Sequence, residues 1–183
     1  MNQPAAAVSS KWIRPLEEHR AAVANLVEAL AAVPESRWSE PREPGKWSPS
    51  QIAEHLALSY EAVLRELSGE DGMQLKLSPI RRRLLRWFLL PHMLFHRSFP
   101  AGARSPREVR PPDVGAVQGE IGERLRELAS RFEEAITRAG AAGETGITHP
   151  YFGRIPPLRA LRFMTLHLEH HRRQIPVSGP DDL

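Results

Sequence analysis

The chain has 183 residues, of which 41% are hydrophobic and 26% are charged, a composition typical of a soluble globular domain. It contains no cysteine, which excludes disulfides, thiolate metal sites and cysteine nucleophiles, and which fits a reducing cytosol. Its formal charge of +3 comes from 25 basic and 22 acidic residues, and this near balance does not indicate a nucleic-acid-binding protein. We therefore expect a single cytoplasmic domain over residues 1–183.

No segment predicts a membrane span or a secretion signal. Residues 1–10 lack a basic region followed by an apolar run. The longest apolar run, residues 84–95, is too short to cross a bilayer, and it is interrupted by Arg86, Pro91 and His92.

The first half of the chain predicts two amphipathic helices. Apolar residues at helical spacing predict the first over about residues 15–33, ended by Pro34. The second has a clear start, because Ser48, Pro49 and Gln51 form a capping box with proline at the first helical position. Its apolar pattern continues to Ser68.

The second half predicts two more long helices after an irregular insert of about residues 71–112. Within the insert, residues 79–95 form a candidate helix bent at Pro91, and the rest is expected to be a loop. Further helices are expected over about residues 117–138 and 156–175. No alternating pattern predicts a strand, so the chain is expected to be all-α.

The last helix carries two histidines on its predicted inward face. At about 100° per residue, His167 and His171 lie about 40° apart, one turn from each other. Burying imidazole costs free energy unless its nitrogens find partners, and a shared divalent cation provides one. His170 lies to the side and is interpreted as a flanking residue. The opposite, solvent side is predicted to hold Arg162, Thr165, Glu169, Arg172 and Arg173.

A third ligand is expected from the second helix. His55 shares a helix face there with small or polar residues such as Ser59, which leave room for an ion. Three histidines leave coordination positions open, as in catalytic metal sites. Glu66 and Gln174 are candidates for residues that support the ligands.

Other interpretations of the histidines remain open. A metalloprotease needs a glutamate directly after the first histidine, where this chain has Leu168. The simpler alternative is that His167 and His171 are separate interior histidines, each only hydrogen-bonded. No sequence pattern indicates a ligand role for four other histidines, namely His19, His92, His96 and His149.

A basic segment in the insert allows a third kind of function. The cluster Arg81, Arg82, Arg83 and Arg86 precedes an apolar run, and basic amphipathic helices bind anionic surfaces. We favour the interpretation that these arginines form a solvated face over a core helix. The expected partners therefore include neither a membrane nor nucleic acid.

Two segments resemble one known family. Residues 45–56, with Trp47, the capped helix start and His55, resemble the second-helix signature of the DinB/YfiT-like superfamily. Residues 149–153 and 166–175 are similar to the closing segment of that family. The order of helices extends the resemblance over most of the chain, whereas the insert departs from the compact family pattern.

The resemblance implies an up-down-down-up four-helix bundle that binds a divalent metal between helices and forms a homodimer. The implied metal is Zn or Ni before Fe or Mn. The family's ligands are one histidine on the second helix and two, four apart, on the last. Matched one by one, they correspond to His55, His167 and His171.

Family members with known activity are thiol-dependent S-transferases and a maleylpyruvate isomerase. The resemblance therefore implies a metal-dependent enzyme of thiol-transferase or hydrolase type, acting on a small molecule with water or a low-molecular-weight thiol. No catalytic residue beyond the metal ligands is predicted. The alternative is a non-catalytic, metal- or ligand-binding dimeric bundle.

Overall fold

A computed structural model describes residues 9–100 and 105–176, which are predominantly helical, as expected for an all-α protein. Short 3₁₀ turns cover Glu35–Arg37 and Arg107–Val109, and a π-helical turn covers Leu85–Leu89. A two-stranded antiparallel hairpin consists of β1 (Ile147–His149) and β2 (Gly153–Ile155). The α-helices are α1 (Ser10–Ala31), α2 (Pro49–Leu67), α3 (Pro79–Leu84), α4 (Leu90–His96), α5 (Gln118–Ala141) and α6 (Pro157–Arg172).

The four long helices pack around one apolar core. Helix α1 contacts both α5 and α6, and α5 also contacts α2 and α6. Tyr60, Phe132 and Leu161 are among the largest side chains with almost no exposed surface. Among the described residues, no helix combines the length and the apolar character that crossing a bilayer requires.

The start of α2 follows the predicted capping box. The Gln51 backbone N–H donates to Ser48 Oγ at 3.3 Å, and the Ser48 backbone N–H donates to Gln51 Oε1 at 3.1 Å. Both bonds satisfy amide groups that have no partner inside the helix. The helix ends at Leu67, one residue before the predicted limit.

Helix α1 begins earlier than predicted. The sequence interpretation took Pro15 as the first helical residue, whereas the helix starts at Ser10 and includes this proline. The additional turn buries Trp12, which is 4% exposed. Its indole lies against Gly140 of α5, where an added Cβ would come within 2.3 Å of Trp12 Cζ2. The early start of α1 therefore adds an aromatic contact to the core.

The insert contains the predicted helix, which extends over residues 79–96 where 79–95 was expected. Its helix is interrupted by the π-helical turn that ends just before Pro91, and such a turn is one way to accommodate a missing proline N–H. Within α3, the π-helical turn and α4, the buried residues are Leu90 and Met93. Three further leucines of this segment are partly buried against the core, namely Leu85, Leu89 and Leu94. The segment therefore packs one side on the core, as the interpretation expected, but it also exposes large apolar residues such as Trp87, which the interpretation did not expect.

The sequence analysis missed the hairpin before α6. Its strands have three residues each, too few for an alternating pattern to be recognised. Gly146 precedes β1 at φ +95°, and a Cβ there would lie 1.8 Å from the carbonyl oxygen of Ile155. Glycine is therefore required at the open end of the hairpin, beside Ile155.

A buried polar cluster links α1, α2 and α5. His19 has no exposed surface; its Nδ1–H donates to Glu133 Oε1, and Tyr60 O–H donates to its Nε2, both at 2.8 Å. Arg20 Nε also donates to Glu133 Oε2 at 2.8 Å. Burial, and secondarily the charge of Glu133, raise the pKa of Tyr60 well above its usual value. The hydroxyl therefore stays protonated and remains a donor.

We expect Glu133→Gln to lower the free energy of unfolding by about 1–3 kcal/mol. Glutamine has one acceptor oxygen for two donors, and its amide N–H groups would face His19 or Arg20. The measurement is urea unfolding followed by circular dichroism. Glu18→Gln is the matched control, because Glu18 pairs with Arg14 in an exposed position, where such a pair contributes about 0.5 kcal/mol or less. Equal effects of the two substitutions would contradict the structural role of the buried cluster.

Candidate metal centre

The capped start of α2 places His55 in the protein interior. His55 is only 2% exposed, and its ring centroid lies 4.8 Å from that of Trp47, which precedes the helix. A carbonyl oxygen can only accept a hydrogen bond, so His55 Nδ1–H donates to the Val109 carbonyl, at 2.6 Å. Nε2 is then the unprotonated nitrogen, with its lone pair free to bind.

The two histidines of α6 lie one turn apart, as the spacing predicted. Their Nε2 atoms are separated by 3.1 Å. His171 Nδ1–H donates to Gln174 Oε1, and Gln174 Nε2 donates to His170 Nε2, both at 2.8 Å. Gln174 therefore fixes the ring of His171, and His170 in turn positions Gln174.

The three candidate ligands converge although α2 and α6 are far apart in the sequence. His55 Nε2 lies 3.0 Å from His167 Nε2. One ring nitrogen each of His55, His167 and His171 lies within 4.8 Å of the others. The sequence reasoning thus identified the three side chains that the fold brings together.

The nitrogens of this cluster fit a divalent metal. In His55 and in His171 the ring proton is on Nδ1, where it is donated in a hydrogen bond, so both rings present an Nε2 lone pair to His167. Nε2 of His167 can donate a proton to one of them at most, so at least one of the two short Nε2 contacts has no proton between its nitrogens, which then repel each other. A cation removes this repulsion. Tetrahedral Zn²⁺ with Zn–N bonds of about 2.0–2.1 Å separates its ligands by about 3.3 Å, close to the two short Nε2 distances. The cluster can therefore hold a divalent metal.

The electrostatics of the interior keep these rings neutral. Burial lowers the pKa of His55 to about 4, although the Val109 carbonyl opposes the effect. Burial, followed by repulsion from neighbouring histidines, lowers the pKa of His167 and of His171 well below the usual value. Metal binding requires the unprotonated form, so no proton has to be displaced at neutral pH.

The hairpin ties the end of α2 to the start of α6. Glu66 accepts from the Thr148 backbone N–H at 2.8 Å, from Thr148 Oγ1 at 2.7 Å, and from Arg154 Nη1 at 3.0 Å. These bonds fix the helix that carries His55 relative to the helix that carries the histidine pair. Glu66 contacts the hairpin and not the three histidines, so its predicted position beside the ligands is wrong.

Several residues around the cluster were not predicted. Phe99 of the insert lies with its ring centroid 4.7 Å from His170 and 5.9 Å from His167. His149, which the sequence analysis set aside, packs on Phe163 at 5.0 Å, and burial lowers its pKa to about 3. The only signal for His149 was its place in the segment that resembles the family. Thr165, assigned to the solvent side of α6, is 4% exposed.

The fold and the cluster define the class of protein: a helical protein in which one histidine of α2 and two of α6 converge. The model of the DinB superfamily matches residues 16–175, which is most of the chain. The chain therefore belongs to the DinB superfamily, and this confirms the resemblance. No curated protein and no solved structure matches the chain.

We expect one divalent metal per chain, bound through the three histidines. At free metal a thousandfold above Kd, binding stabilises the fold by about 4 kcal/mol. His55→Ala and His171→Ala should each lose the metal and this stabilisation, measured by elemental analysis and thermal unfolding. His92→Ala is the control, because His92 also has a histidine one turn away but is exposed. Wild-type metal content in His171→Ala would contradict the assignment.

The lowered pKa of His55 predicts acid sensitivity of the metal-free protein. An unfolded histidine binds a proton near pH 6.5, whereas His55 in the folded protein does so near pH 4. Stability is therefore intact above pH 6.5 and is lost as the pH falls towards 4, by about 2 kcal/mol between pH 7 and pH 5. Urea unfolding after dialysis against EDTA measures this. His55→Asn should reduce the loss and His92→Asn should preserve it; the reverse order would refute the explanation.

Proposed function

We propose that the protein is a metal-dependent enzyme acting on a small molecule, of thiol-transferase or hydrolase type. The proposed ligands are His55, His167 and His171, and the proposed metal is Zn²⁺ or Ni²⁺ before Fe²⁺ or Mn²⁺. The observation that carries the proposal is the convergence of three histidine Nε2 atoms in a cluster without a carboxylate. Three histidines leave a coordination position open, as catalytic sites do.

A metal held here would supply a Lewis acid that lowers the pKa of a bound water or thiol. The three neutral rings leave the full charge of a divalent ion uncompensated, and this favours an anionic nucleophile such as hydroxide or thiolate. The chain has no cysteine, so a thiol would have to come from a diffusible molecule.

The surrounding residues hold the ligands in place and limit access by water. The Val109 carbonyl and Gln174 fix two of the rings through Nδ1, and such partners orient metal-binding histidines. Trp47 stacks on His171 with ring centroids 6.1 Å apart, and Phe99 covers His167. These aromatic rings form apolar walls beside the coordination position.

One observation favours the non-catalytic alternative, a metal- or ligand-binding dimeric bundle. In residues 9–100 and 105–176, the hydrogen-bond partners of the three rings are one another, a carbonyl and an amide. The carbonyl and the amide do not accept a proton during a reaction at neutral pH, and the three rings are themselves the proposed metal ligands. A metal would then stabilise the fold without turnover.

The arrangement of the helices, the domain organisation, the oligomeric state and the location of the protein are part of the same proposal. The contacts of α1 with α5 and α6, and of α5 with α2 and α6, support an up-down-down-up four-helix bundle. A single domain over residues 1–183, a homodimer and a cytoplasmic location remain predictions.

Cobalt substitution separates the enzyme from the alternative. With Co²⁺ at the site, a low-molecular-weight thiol should produce a sulfur-to-cobalt charge-transfer band, and the thiol should then react with small electrophiles at a metal-dependent rate. His167→Ala should abolish both signals, and His96→Ala, an exposed histidine, should preserve them. Hydrolysis of small esters or amides without the thiol band would assign the hydrolase type. Neither signal across a broad panel, with metal bound, would establish the non-catalytic bundle.

A further inference from the structure

The insert exposes a row of large apolar side chains, which we call the exposed stripe. Its members recur at helical spacing along α3, the π-helical turn and α4, so they share one side of this segment. Monomeric proteins rarely leave so much contiguous apolar surface in water without a binding function. The stripe consists of Ile80 at 74% exposure, Leu84 at 53%, Trp87 at 64%, Phe88 at 73% and Phe95 at 81%.

The same segment carries an unbalanced positive charge. Between Asp71 and Glu108 the chain has eight lysines and arginines and no acidic residue. Arg81 and Arg83 are exposed, and neither makes an ion pair with any residue in the described ranges. The stripe is therefore accompanied by free guanidinium groups on the same short helix.

A basic cleft continues this surface beyond the stripe. It lies between α1, α4 and α6, has a volume of about 480 Å³, and is bordered by Pro91 and Phe95. Arg159 and Arg162 line it and are exposed, and within the described part of the chain neither has an ion-pair partner. Positive charge and apolar surface thus meet at Phe95.

This combination fits an anionic lipid bilayer. Helices that lie in the membrane interface place aromatic and aliphatic side chains among the acyl chains and basic side chains against the phosphates. A second copy of the chain fits less well, because a twofold contact would bring the arginine cluster near its own copy, and residues 72–107 contain no carboxylate to pair with it.

We infer that the insert docks the protein peripherally on an anionic lipid surface. The exposed stripe enters the interface, while Arg81, Arg83 and the cleft arginines contact lipid phosphates. This surface is separate from the three histidines, so the inference stands independently of the proposed enzyme activity.

Vesicle binding by the metal-loaded full chain tests the inference. We expect co-sedimentation with vesicles of phosphatidylcholine and phosphatidylserine, weak binding to pure phosphatidylcholine, and loss of binding at high salt. Trp87 is the most exposed tryptophan, so vesicles should shift the protein fluorescence to the blue. Trp87→Phe should abolish that shift and keep the binding.

Two paired variants separate the contributions of charge and apolar surface. Arg81→Gln with Arg83→Gln should lower the partition coefficient about thirtyfold, since each basic residue near the surface contributes about 1 kcal/mol. Trp87→Ser with Phe88→Ser should lower it at least tenfold. The matched controls are Arg126→Gln with Arg131→Gln and Val117→Ser, which alter exposed residues of α5 and the residue before it. All variants should keep the wild-type metal content and melting temperature.

Three outcomes would overturn the inference. The first is equal binding to neutral and anionic vesicles. The second is unchanged binding in both paired variants. The third is absence of binding to anionic vesicles. If the protein is then a dimer that Trp87→Ser with Phe88→Ser dissociates, as measured by light scattering, the stripe is assigned to contact with a second copy.

Discussion

The structure depends on burying three neutral imidazoles whose Nε2 atoms face one another. Each ring loses its hydration in the interior, and charge repulsion from nearby histidines adds to this effect, so protonation is suppressed. The surrounding structure holds the rings together. Val109 and Gln174 each accept a hydrogen bond from an Nδ1–H group, and Glu66 connects the two histidine-bearing helices through the hairpin. The arrangement directs three Nε2 atoms to one place.

Another buried histidine of this interior, His19, has surroundings that differ from those of the three-histidine cluster. His19 is as deeply buried as His55, but it has a carboxylate on one nitrogen and a hydroxyl on the other. All of its hydrogen-bonding capacity is used within the protein. The three-histidine cluster has no carboxylate and more acceptors than donors. One site is therefore closed by its own residues, whereas the other can be completed by an ion.

Local signals in the sequence predicted the parts of the molecule that local interactions determine. The capping box set the start of α2, and the one-turn spacing placed His167 and His171 on the same side of α6. The pairing of His55 with them across the interior rested on the family resemblance as well as on its helix face. The Val109 carbonyl could not be predicted, because any backbone carbonyl can accept and only the tertiary fold selects one. Thr165 was misplaced because α6 is covered on more than one side, which a single helical wheel does not represent.

The insert connects the two surfaces of the molecule that carry functional hypotheses. The segment that exposes Trp87 and Phe88 continues directly into Phe99, which covers His167, and then into Val109, which holds His55. An ion pair between Arg97 and Glu169 fastens the end of α4 to α6 next to His170. A displacement of α4 would therefore also move residues that contact the histidine cluster, such as Phe99. The insert therefore supplies both the exposed apolar residues and two of the residues that surround the histidine cluster.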